Sequence, residues 1–235
     1  GTGLQQVTSL VGRWGDGISQ AIGTGGHDLK SEVGGITMLQ GIAALAADPD
    51  TKVIVLVSKP PSADVMEKVL EAASQSKKPV VVDFIGANPA NITRGNVLGV
   101  KTLEDAASAA VSLARGKVVK EFSGDLPEDY SQKAREASEL LNAEQKYIRG
   151  LFSGGTFCYE TLLLLNETLT TVYSNTPIVK EDNLPNVWKS QKHTAIDLGD
   201  DLFTQGRPHP MIDFRLRNER ILQEAEDPET AVILL

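Results

Sequence analysis

Ser153-Gly154-Gly155-Thr156-Phe157-Cys158-Tyr159-Glu160 joins an apolar, strand-like run, Tyr147 to Phe152, to the apolar segment Thr161 to Leu165, which extends the stretch into a helix. Strand, small-residue turn and helix start is the arrangement that makes an anion site. Glycines let the backbone approach a ligand. The first helical N–H groups have no partner within the helix, and the helix dipole favours negative charge there. Ser153 and Thr156 add hydroxyl donors. A short Gly-rich turn is equally an ordinary connection, so the stretch alone does not decide between the two readings.

A repeat raises the odds of a site. The chain opens Gly1-Thr2-Gly3-Leu4-Gln5-Gln6-Val7, the tail of a similar turn, and Leu4, Val7, Leu10 and Val11 then share one helical face. Further landmarks recur in the same order. Ala21-Ile22 matches Ala195-Ile196, and Asp48-Pro49-Asp50-Thr51 matches Asp227-Pro228-Glu229-Thr230. The spacing between copies grows from 154 (1 to 155) to 174 (21 to 195) and 179 (48 to 227). Growth of this kind puts the insertions in connections, which a duplicated fold tolerates.

The 235 residues can bury two modest cores. With 41% hydrophobic and 23% charged residues the chain reads as globular. A net charge of −8 argues against nucleic acid or an acidic membrane surface as partner, while leaving room for a small anion at a local site. One cysteine excludes an internal disulfide, which suits a reducing cytoplasm. No run approaches the ~20 apolar residues of a membrane span. Gly1 sits where a strand should already have fed the turn, and Leu235 lies inside an apolar run, so the chain reads as part of a longer protein.

Ile18 to Ile22 reads as a short strand, followed by Gly23-Thr24-Gly25-Gly26-His27-Asp28. Gly34-Gly35 opens a helix. Val53 to Val57 is a continuous apolar run suited to a buried parallel strand, Val80 to Ile85 reads as the next buried strand, and Ser62 to Ser76 between them has helical period. Thr102 caps a helix through Ala114, with Asp105 in the capping-box position. The alternation predicts an α/β protein with parallel sheets and flanking helices. The expected domains are 1–115 and 147–235, with 116–146 a helical connector whose charged helix starts at Pro127. Asn175 to Lys192 reads as a polar surface loop.

Gly154-Gly155-Thr156-Phe157-Cys158-Tyr159-Glu160 resembles the turn that opens the ligase domain of the succinyl-CoA synthetase α subunit. Gly23 to Asp28 with Gly34-Gly35-Ile36, Asp48 to Leu56, and Gly99-Val100-Lys101-Thr102 resemble later segments of that domain. The chain is most similar overall to the FdrA type of acyl-CoA-synthetase-like protein, which carries two such domains. The resemblance implies two flavodoxin-like ligase-CoA domains. It also implies phosphate or an acyl phosphate held between paired helix N-termini, here at Thr2 and Thr156, and it puts the CoA-binding domain outside this chain.

The phosphohistidine of the resembled family is missing. No histidine lies from Val80 to Gly116, and the glutamate that would hold it is replaced within Ser58-Lys59-Pro60-Pro61. The implied activity is therefore phosphate-dependent carbonyl transfer of the oxamate carbamoyltransferase kind, in which oxalurate and phosphate give oxamate and carbamoyl phosphate. The competing readings are a genuine ATP-dependent acyl-CoA ligase and a non-catalytic scaffold. The phosphate-binding candidates are Gly1, Thr2, Gly3, Gly25, Gly26, Ser153, Gly154, Gly155 and Thr156. The catalytic candidates are His27, His209 and Arg207. His193 reads as a surface residue, Cys158 as a packed thiol, and Asp200-Asp201 as solvated turn acids or a Mg²⁺ site. Partner subunits and an oligomer are expected; CoA and Mg²⁺ are the further cofactors considered.

Overall fold

The structure, a computed structural model, describes residues 1–119 and 128–235. The chain divides into two compact units, Gly1–Phe122 and Ser123–Leu235. The division falls inside the segment read as a connector. The expected helix start at Pro127 lies outside the described residues.

The first unit runs α1 (Thr2–Arg13), α2 (Ile36–Ala47), β1 (Ile54–Ser58), α3 (Ala63–Gln75), β2 (Val80–Phe84), α4 (Pro89–Ile92), β3 (Val97–Gly99) and α5 (Leu103–Ala114). Its three strands are parallel in the order β1-β2-β3. β2 is buried along its whole length, as its uninterrupted Val-Val-Val-Asp-Phe sequence requires of a strand covered on both faces. α1 packs on α5 and α2 on α3, and each pair also meets the sheet. The core joins Met38 and Ile42 of α2, Val65, Val69 and Leu70 of α3, and the strands. α5 starts at the capping box read from sequence: Thr102 Oγ1 accepts from Asp105 N, and the Asp105 carboxylate accepts from Thr102 N.

The strand expected at Ile18 to Ile22 does not form. These residues are irregular and exposed. Ser19 reaches Thr51 through a 2.8 Å hydrogen bond, and Ile22 lies beside Gly41 of α2. No amide of this segment donates to a backbone carbonyl among the described residues.

The second unit contains α6 (Glu128–Glu139), β4 (Tyr147–Phe152), α7 (Gly155–Asn166), β5 (Thr194–Asp197), α8 (Asp201–Thr204), α9 (Arg215–Glu226) and β6 (Thr230–Leu234). Its parallel order is β5-β4-β6, so β4 is central and the chain crosses from β5 over β4 to reach β6. The loop at 175–192 is not merely surface. Ser174 bridges to Asn183, Leu184 is buried, and the Trp188 ring stands edge-on to Phe203 at 5.1 Å.

This unit also buries an ionic cluster. Arg149 of β4, 1% exposed, places Nε 3.1 Å from Glu224 and Nη2 2.8 Å from Asp227. Arg220 donates to the same Glu224 at 2.7 Å and to Val187 O and Ser190 Oγ. His193, expected at the surface, is half-buried against this cluster. Its ring stands edge-on to Tyr147 at 5.3 Å, and its Nδ1 accepts from Ile148 N at 3.2 Å. No described helix is long and apolar enough to cross a membrane.

Candidate anion site

The turn read first from sequence lies at the carboxyl end of the central strand β4, where open parallel sheets place their ligands. Gly154 is the N-cap of α7, with extended backbone and no side-chain cap. The helix's own bonding begins with Cys158 N to Gly154 O. The N–H groups of Gly155, Thr156 and Phe157 therefore have no acceptor in the helix. Ser153 Oγ and Thr176 Oγ1 are buried, and neither has a hydrogen-bond partner among the described residues.

The adjoining strand end is tightly fixed. Asn175 bonds both backbone groups of Asp197, donating to its carbonyl at 3.0 Å and accepting from its N–H at 2.9 Å. Asp197 Oδ1 accepts from Gly199 N, and Leu198 N donates to Phe152 O. A Cβ on Gly199 would stand 2.7 Å from His209 Nε2 and 2.9 Å from Ser153 O. Only glycine lets the imidazole come this close to the turn. His209 Nδ1 accepts from Met211 N at 3.2 Å, so in the neutral ring the proton belongs on Nε2, the atom beside Gly199.

On the β6 side, the pairing of β4 stops at Gly150 with Leu234. Arg217 Nε then donates to Leu151 O at 3.1 Å, which holds the start of α9 against the end of β4. Arg207 lies in the preceding loop. It lines a cavity of about 340 Å³ with Pro208, Asp213, Arg215, Leu216 and Glu219. Asp213 is held down to about 2 by the Arg215 side chain and the Arg215 backbone N–H.

Ser153, Gly154, Gly155, Thr156 and His209 thus come together in the second unit. Gly1, Thr2 and Gly3 open α1 in the first unit, again with no side-chain cap. Gly25, Gly26 and His27 form an exposed turn ahead of α2. The acid that follows, Asp28, is buried and caps α2, accepting from Thr37 N and Met38 N at 2.8 and 2.9 Å. Burial works against its charge, but these two bonds outweigh it and lower its pKa. Cys158 is buried, as expected of a packed thiol. Asp200 caps α8 through Leu202 N. No group of three or more His, Cys, Asp or Glu is placed for a metal among the described residues, so the structure offers Mg²⁺ no ligand set of its own there.

Sequence reasoning missed Gly199, Asn175 and Arg217. The one available signal was the Asp197-Leu198-Gly199 ending of an apolar run, which marks a tight strand exit.

Comparison with known families divides the chain along the same lines. Residues 151–235 match the CoA-ligase family, and residues 1–86 match the CoA binding domain. One half is thus similar to a CoA-ligase domain and the other to a CoA binding domain. The match of residues 1–86 overturns the expectation that the CoA-binding domain lies outside the chain, and it differs from the ligase-like reading of the first half. The chain is also 43% identical, over all 235 residues, to a protein named "Uncharacterized protein YahF" from Escherichia coli (strain K12). It spans 45% of that relative's length. Coenzyme A is the group these domains imply.

Proposed function

We propose that this chain is the phosphate-handling subunit of a carbonyl-transfer enzyme of the oxamate carbamoyltransferase kind, related to the FdrA type. The observation that carries the reading is the uncapped start of α7, with His209 packed against Gly199 beside it. Phosphate would accept from the N–H groups of Gly155, Thr156 and Phe157 and from the Ser153 and Thr156 hydroxyls. A phosphate oxygen attacks the ureido carbonyl of oxalurate, the C–N bond breaks, and carbamoyl phosphate leaves with oxamate. The departing nitrogen needs a proton, and His209 Nε2–H is the donor at hand. No enzyme-bound phosphohistidine is required in this step.

The two family matches favour a second reading, acyl-CoA ligation, with CoA held at the first turn of α1. One assay separates them. Full-length protein with its partner subunits is given oxalurate and phosphate, and carbamoyl phosphate is measured. Gly155→Pro removes one N–H at a position where a helix accepts proline, and Thr156→Val removes a hydroxyl. Loss of about tenfold or more in each variant, about 1.4 kcal/mol, is the expected result. Absent turnover, together with ³²P retained on the protein in the presence of ATP and CoA, would replace this reading with the ligase. Absent turnover with no label would leave a scaffold.

A further inference from the structure

The cavity at the start of α9 shares no lining residue with the α7 turn and has a chemistry of its own. Arg215 spends Nε on both Asp213 oxygens, at 3.0 and 2.9 Å, and also turns Nη2 to that carboxylate. The pair is charge-neutral. Arg207, in contrast, is exposed and has no ion-pair partner among the described residues. Glu219, one helical turn after Arg215, brings an exposed carboxylate to the same lining. Pro208 and Leu216 supply apolar surface. The cavity therefore has one uncompensated cation and one carboxylate, with apolar surface and a neutral wall between them. At about 340 Å³ it lies at the small end of ligand sites.

We propose that this cavity binds a small acid through its carboxylate at Arg207 and through an N–H donor at its other end, at Glu219. A guanidinium holds a carboxylate in a two-pronged geometry, and a carboxylate accepts from an amide. A dicarboxylate would set its second charge against Glu219, and a diamide would leave Arg207 without an anion. This deepens the reading given above by placing the organic substrate's acid end, but it stands on different residues from the phosphate turn.

Three matched probes test it by calorimetry: succinamate, succinate and succinamide. Succinamate should bind most tightly. Arg207→Gln should weaken it by about tenfold or more. Glu219→Gln should narrow the gap between succinate and succinamate, because the repulsive charge is gone. Both side chains are exposed, so circular dichroism should be unchanged in the variants. Succinamate that binds no better than succinamide, or equally well in Arg207→Gln, would overturn the assignment, as would no binding at millimolar concentration. Phosphate titration of Gly155→Pro tells the two failures apart. Succinamate binding that survives in that variant while phosphate binding is lost places the two ligands at separate sites. Succinamate binding without phosphate binding in the parent chain would sink the phosphate reading alone.

Discussion

α2 and α9 align, 179 residues apart, in the repeat read from the sequence, yet they finish their buried faces in opposite ways. α9 carries Arg220 and Glu224, which close on Arg149 of β4. The corresponding residues of α2 are Gly41 and Leu45, and Ile22 rests beside Gly41. The strand ends follow suit. Thr194–Asp197 is fully buried between β4 and its covering loop, whereas the matching Ile18–Ile22 segment is exposed. The difference traces to β4. It supplies hydrogen bonds to β5 and a charged anchor to α9. Strand formation is decided by the neighbour, not by the apolar pattern alone.

Breaking the ionic cluster should produce the largest effect. Glu224→Leu leaves Arg149 and Arg220 buried with only Asp227 between them. A loss of about 3–5 kcal/mol is expected when one partner of such a buried set is removed. Leu45→Ala at the matching place in the first unit should cost only about 1–2 kcal/mol, from partial loss of apolar burial. Trp188 reports on the second unit and Trp14 on the first, so urea melts of Trp→Phe variants assign each loss. Equal losses would mean that the two helices are held by the same forces after all.

The contrast is sharpened by amide exchange. Ala195 N donates to Tyr173 O and Leu198 N to Phe152 O, each at 2.9 Å or less. None of the amides of residues 18–22 donates to a backbone carbonyl among the described residues. Exchange at Ala195 and Ile196 should be slower by about a hundredfold or more than at Ile18 to Ile22, which corresponds to about 2.7 kcal/mol of local opening. Comparable rates would show that the segment pairs as a strand, and the comparison would fail.

Much of this was legible in the sequence, for physical reasons that differ by element. β2 announced itself through Val80-Val81-Val82 and Phe84, a β-branched and aromatic stretch suited to burial on both faces. α5 announced itself through a capping box, which is a local interaction between residues three apart. The turn at Ser153–Gly155 and its helix were read correctly for the same local reason. What escaped depends on distant residues. β3 spans only Val97–Gly99 and is defined by its partner β2. Gly199 looks like any turn glycine until His209, ten residues away, is packed against it. Arg149 reads as an interruption of an apolar strand, and only α9 explains it.

The smallest effect concerns the edge of that cluster. His193 has its pKa lowered from 6.5, first by burial and then by the charge of Arg149. Above about pH 6.5 the ring is neutral in both folded and unfolded chains, so it adds no pH dependence. As pH falls below 6.5 the unfolded chain binds the proton first, and stability falls until the folded ring also protonates. Protonation also costs the bond from Ile148 N, because Nδ1 no longer accepts. His193→Asn keeps an acceptor without a titration, so its stability should slope less steeply between pH 6.5 and 5 than that of the parent chain. His193 faces Arg149 and Tyr147, and the first unit offers no such buried cation in its helix–sheet core. An unchanged slope in the Trp188-reported transition would mean that Arg149's charge is fully neutralised by Glu224 and Asp227 before it reaches the imidazole.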